Sequence, residues 1–240
     1  MTALVFEKSI TRDWSVIFSQ IWHEVFTKEF KKQFDFRLSE IIYEGKNHVI
    51  NVYRAPEEYI EGMKNFILNK IESDSLWINK QAHIIKDKVL STINWIKKIR
   101  KKSFFEYDSR ELAKILNEFV QRNVNIGPRY IIMLWFPIQL EQVKEHKYKK
   151  QVQIAKKTRK DIHILSTIAN NFTREIAREV LKRAKLPSNL AKYITYQEIL
   201  NYLIHKKIHK NVLFKRKKYF IITNHGILYE QIGAYLNKIG

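Results

Sequence analysis

The chain has 240 residues, 45% of them hydrophobic and 28% charged, a balance that supports a buried core and argues against wholesale disorder. It carries 44 Lys and Arg against 24 Asp and Glu, a formal net charge of +20, and no cysteine. The missing cysteine excludes disulfide frameworks, thiolate metal sites and cysteine nucleophiles. Six glycines and four prolines signal few turns, so long helices are expected. Glu7, Lys8, Arg12 and Asp13 interrupt the apolar run that a signal peptide needs, and no window of about 18 residues is free of charge. The expectation is a cytoplasmic protein with no membrane partner.

In chain order, residues 2–10 read as a short strand or an extended arm. TRDWSVIFSQIWHEVFTKEFKKQF comes next as a helix, with Thr11 as N-cap and Asp13 in the first turn. Trp14, Ile17, Phe18, Ile21, Trp22, Val25 and Phe26 recur at helical spacing, and the stripe is read as core rather than as a cofactor pocket. RLSEIIYEGKNHVINVYRA changes period. Its two β-branched runs around Glu44-Gly45-Lys46-Asn47 predict a hairpin with glycine in the turn. Pro56 is placed in the first turn of the next helix, whose apolar face holds Tyr59, Met63, Phe66, Ile67 and Ile71. A further helix runs from Ser75 into KKIRKKS, and Ser109 is read as the cap of RELAKILNEFVQRN. Gly127-Pro128 is expected to break the chain, after which RYIIMLWFPIQLEQ reads as the most buried helix, kinked at Pro137.

The region from Val143 to Leu186 reads as long helix, with two helices meeting near Thr158. Thr195 and Glu198 form a T-x-x-E capping box ahead of Ile199, Leu200, Leu203 and Ile204. A basic connector then leads to YFIIT, an Asn224-His225-Gly226 turn and ILYEQ, a second hairpin, and the tail resumes as a short helix. The fold class expected is mainly α: a multi-helix bundle with one β hairpin in the N-terminal third and another near the C-terminus. The parts are 1–55 (helix plus hairpin), 56–205 (helical core) and 206–240 (connector, hairpin and short helix), taken as one unit.

Charge is uneven. From Lys144 to Lys218 there are 21 Lys and Arg against five Asp and Glu. Such asymmetry marks either a solvated lysine coat or a polyanion-binding face. The candidate polyanion-binding residues are Lys156, Lys157, Arg159, Lys160, Arg174, Arg178, Lys182, Arg183, Lys215 and Arg216, and nucleic acid is the partner they suggest, with Tyr148, Phe172, Tyr193, Tyr202 and Tyr219 interspersed as stacking rings.

Familiar catalytic signatures do not occur. The glycines make neither a phosphate-binding loop nor a dinucleotide fingerprint, and there is no G-x-S-x-G elbow. His205 and His209 stand at i, i+4, but HKKIH lacks the glutamate of H-E-x-x-H, and its lysines repel a cation. No catalytic residue, cofactor or metal ligand is assigned.

One resemblance covers nearly the whole chain. YITYQEILNYLIHKK and FKRKKYFIITNHGILYEQIGAYL are similar to the helical region of phosphoenolpyruvate-utilising enzymes of the phosphoenolpyruvate synthase type. Ile194, Thr195, Glu198 and Ile199 match that family's L-T-x-x-E-I helix. Arg216, Tyr219 and Gly233 match its arginine before a strand and its glycine-preceded hydrophobic tail. Arg12 and Trp22 match an arginine-led aromatic helix. The resemblance implies a region that lies between an ATP-grasp domain and a swivelling phosphohistidine domain, with neither domain matched here. It implies a helical scaffold without its own catalysis, and ATP-grasp and phosphohistidine-domain proteins as partners.

Overall fold

The computed structural model describes residues 6–36, 40–55, 61–143 and 146–239. Five strands, β1 (Glu7–Arg12), β2 (Ile41–Lys46), β3 (Val49–Arg54), β4 (Tyr219–Thr223) and β5 (Gly226–Leu228), make one antiparallel sheet in the order β1-β3-β2-β4-β5. The helices are α1 (Val16–Glu24), α2 (Phe30–Phe34), α3 (Met63–Ser73), α4 (Trp77–Ile99), α5 (Ser109–Val143), α6 (Lys149–Ile162), α7 (Ile164–Arg183), α8 (Tyr196–His205), α9 (Lys210–Lys218) and α10 (Ile232–Ile239). The protein is mainly α with a small β region, as expected. The two hairpins do not stand apart, however. β2 pairs with β4 in the register Tyr43↔Ile222 through Lys46↔Tyr219, and this long-range pairing fuses them.

Side chains alternate across the sheet as the pleat requires. Ile41, Tyr43, Ile50, Val52, Phe220 and Ile222 join the main core, which runs through every helix from α1 to α9. Ile42 and Ile221 face the other way and meet Tyr235 of α10. On that outer face Glu44 is buried, and its carboxylate accepts from Asn51 Nδ2 (2.8 Å), Tyr53 Oη (3.1 Å) and Tyr219 Oη (3.1 Å). Three donors offset the cost of burying that charge. Tyr219 Oη in turn accepts from the Ile232 N–H at the start of α10.

Local signals fail where tertiary contacts compete. Thr11 is a strand residue paired with Asn51, so the helix cap falls to Ser15. Ser15 accepts from the Phe18 N–H at 3.2 Å, and its own N–H donates to Asn170 of α7. The first hairpin turns at Asn47-His48, both at positive φ, with Gly45 inside β2. A Cβ at Gly45 would lie 1.9 Å from the Phe220 ring, so the glycine serves close strand packing rather than the turn. Asp108, not Ser109, caps α5, accepting from the Arg110 and Glu111 N–H groups. The expected first turn at Pro56 lies outside the described residues. The joint of the basic region is at His163, five residues beyond Thr158, and the connector before β4 is itself the helix α9.

Gly127-Pro128 does not break the chain. α5 runs unbroken through Pro128 and Pro137. A proline inside a helix costs about 3 kcal/mol, whereas burying Ile131, Ile132 and Met133 completely contributes roughly 1.5–3 kcal/mol each. Between α1 and α2 the chain makes a π turn, Val25–Glu29, whose Val25 lies against Gly127. A Cβ there would sit 2.3 Å from Val25 Cγ2. Gly127→Ala is therefore expected to cost about 1–3 kcal/mol by overpacking. In chemical denaturation the Gly127→Ala, Val25→Ala double variant should lose less stability than its two parents combined. Additivity within about 0.5 kcal/mol would contradict the close approach.

Candidate functional site

Three of the residues quoted for the resemblance, Thr195, Glu198 and Arg216, meet at one place. Thr195 and Glu198 make the predicted capping box at the start of α8, with Thr195 Oγ1 accepting from the Glu198 N–H and the Glu198 carboxylate accepting from the Thr195 N–H. The same carboxylate receives Arg216 of α9 in a two-pronged ion pair, Nη1 at 2.7 Å and Nη2 at 3.0 Å. Arg216 also donates to the Tyr193 carbonyl at 2.5 Å and to Tyr229 Oη at 3.2 Å, and is only 3% exposed. α9 runs directly into β4, so this one guanidinium ties the helical body to the sheet. Burial alone would raise the Glu198 carboxyl. The hydrogen bonds and charge of Arg216, with help from the Thr195 N–H, outweigh it and hold the group below its ordinary value.

The ten candidate polyanion-binding cations do not form one face. Arg216 is buried in the clamp. Arg183 donates to Glu179 at 2.8 Å and to the carbonyls of Phe104, Phe105 and Tyr107, closing the turn between α4 and α5. Arg174 bonds the carboxylate and carbonyl of Asp13 at 2.9 and 2.7 Å. These three arginines are structural. Arg178 and Lys182 are exposed, but the shallow groove they line is shared with Glu175 and Glu179, which weakens any anion site there. Lys215 is exposed beside the Tyr229 ring. Lys156, Lys157 and Lys160 are exposed on α6, while Arg159 lines a cavity instead.

Two concavities stand out. An open groove of about 520 Å³ lies between α1 and the β4–β5 hairpin, lined by His23, Glu24, Lys28, Glu40 and Asn224 among others. Burial, then the charge of Lys28, push the His23 imidazole down to about 4, so it is neutral near pH 7. The second is a cavity of about 110 Å³ between the inner face of the sheet and α1, α5, α6 and α7. The stripe read as core supplies part of its wall: Trp14 stacks on Trp22 with centroids 6.1 Å apart, and Trp22 meets Tyr130 edge-on at 5.4 Å. Arg12, Arg54 and Arg159 also line it, and Arg54 lies 3.6 Å over the Trp135 ring. Sequence reasoning missed this convergence. The local signal was Arg54 itself, standing where the inward alternation Ile50, Val52 calls for another apolar side chain.

No protein-family model, curated protein or solved structure matches this chain. Among the described residues no helix is long and apolar enough to cross a membrane.

Breaking the clamp by Arg216→Ala or Glu198→Gln is expected to cost about 3 kcal/mol, the range for a buried pair left with one partner. A loss under roughly 1 kcal/mol for both, as for a surface pair, would contradict its burial. The pH dependence has a definite sign. The folded carboxyl lies below its ordinary 4.5, so the stability it brings is complete above that value and is lost as pH falls through the folded one. The gap between wild type and Glu198→Gln should be flat near neutrality and close on acidification. A gap that widened in acid would contradict the assignment.

Proposed function

We propose that the chain is a non-catalytic helical module that works with phosphotransferase domains of the phosphoenolpyruvate-utilising type. The supporting observation is the clamp. Thr195, Glu198 and Arg216, residues on which the resemblance rests, act together as a buried fastening between helical body and sheet. Their chemistry is that of a rigid frame: the carboxylate and the two terminal nitrogens of the guanidinium are engaged with each other, with backbone groups and with Tyr229, and the Arg216 Nε–H, which has no partner, is buried away from solvent. A frame of this kind holds catalytic domains in register while they exchange a phosphoryl group.

The test is reconstitution. Purified chain should form a discrete complex, in size-exclusion chromatography at micromolar concentrations, with ATP-grasp and phosphohistidine-domain proteins from the same cell. Alone it should neither turn over ATP nor acquire phosphate on histidine. Unaided turnover, unaided phosphorylation, or failure to bind either protein would overturn the reading.

A second reading rests on α6, which carries six Lys and Arg against one Asp and exposes Lys156, Lys157 and Lys160. On this reading the module binds nucleic acid through that helix. Labelled RNA or DNA should then be retarded in a gel, with affinity falling steeply with salt, and Lys156→Gln, Lys157→Gln, Lys160→Gln together should abolish the shift. Absence of any shift at low salt would eliminate it.

A further inference from the structure

The cavity behind the sheet is rich in donors and poor in acceptors. Among the described residues its lining includes three arginines, Arg12 on β1, Arg54 on β3 and Arg159 on α6, together with Ser9, His163, Ser166 and Tyr130, and no Asp or Glu. Among the described residues neither Arg12 nor Arg159 has a carboxylate partner, although both act on the Tyr130 hydroxyl: burial pushes that hydroxyl above its ordinary range, and the two cations pull it back. Trp22 and Trp135, which also line the cavity, have buried indole N–H groups with no hydrogen-bond partner. Buried donors without acceptors are rare in folded proteins and call for an occupant. Like charges gathered around one cavity are costly, and an anion that joins them relieves the cost.

Size and wall chemistry narrow the occupant. The walls are ring faces and aliphatic side chains, Trp14, Trp22, Phe26, Tyr130 and Ile131 among them, which suit a flat apolar group. A volume near 110 Å³ is the scale at which an engineered cavity of about 150 Å³ accepts a single benzene ring. Arg12 is exposed and Arg159, Trp14 and Trp22 are half-buried, while Phe26 and Tyr130 are buried, so the wall runs from a cation at the solvent side to rings at its deepest part. That order matches a ligand with an apolar body and an anionic head.

We propose that this cavity is a binding site for a small organic anion, one flat ring bearing a phosphate or carboxylate group, with the ring held among Trp14, Trp22 and Tyr130 and the anion met by Arg12, Arg54 and Arg159. Guanidinium forks match both head groups through paired N–H donors. The site is independent of the clamp and of any partner domain.

Phenyl phosphate and benzoate are suitable probes, with phenol and inorganic phosphate as the two fragments. Three of the chain's five tryptophans line the cavity, so intrinsic fluorescence reports occupancy and calorimetry gives the affinity. At least one of the two anions should bind at least about tenfold more tightly than either fragment, a difference of roughly 1.4 kcal/mol. Arg12→Gln and Arg159→Gln should each weaken it several-fold while circular dichroism and thermal midpoint stay near wild type. Trp22→Phe, which keeps the ring and removes the N–H donor, should weaken it as well. The proposal fails if neither anion binds at millimolar concentration, if inorganic phosphate binds as tightly as phenyl phosphate, or if the double arginine variant, still folded, binds as wild type does.

Discussion

A guanidinium buried at the meeting point of two layers holds this structure together. Arg216 reaches from α9 to the carboxylate that caps α8, to the carbonyl that precedes that cap and to Tyr229 beyond β5. Taking the charge out of water is expensive, and only close pairing with further hydrogen bonds offsets it. A hydrophobic residue of similar volume would offer no directional bonds. The arginine therefore contributes uniqueness: it fixes where α9 lies, hence where β4 enters the sheet, hence the register of β2 against β4. The Phe220 ring then lies where only a glycine at position 45 leaves room for it.

The cations of this chain have three different lives. Exposed lysines of α6 remain in water, where each contributes little to stability. Arg174, Arg183 and Arg216 satisfy carboxylates and carbonyls at joints between elements. Arg12, Arg54 and Arg159 gather around an aromatic cavity whose lining, among the described residues, holds no acidic side chain. A net charge of +20 hides this division, because lysine in water, arginine in a joint and arginine beside a cavity count equally in a sum. The division reflects the chemistry of the two side chains. A planar guanidinium with five donors suits crowded, multi-acceptor sites, and a strongly hydrated ammonium suits the surface.

What the sequence could show depended on range. The capping box of Thr195 and Glu198 was legible because both halves lie within one helical turn, and so was the mainly α fold, from apolar spacing. The pairing of β2 with β4 was not, since nothing local at Tyr43 announces Ile222. Gly45 and the Gly127-Pro128 pair misled because glycine and proline usually punctuate turns, whereas here each glycine answers a distant side chain, Phe220 or Val25. The Ser15 cap was displaced from Thr11 because β1 pairs through to Arg12, a demand made by β3. At the candidate site the aromatic stripe was visible, but the three arginines beside it come from β1, β3 and α6, and only the folded chain brings them together.

Native-state hydrogen exchange tests most directly whether sheet and helices are one fastened body. The amides of β4 and those of Ile131, Ile132 and Met133 in α5 should open together, with the same free energy and the same dependence on denaturant, as members of one cooperative unit. Exchange of β4 through a smaller, separate opening while α5 stays protected would mean that Arg216 does not bind the two layers, and the account would fall.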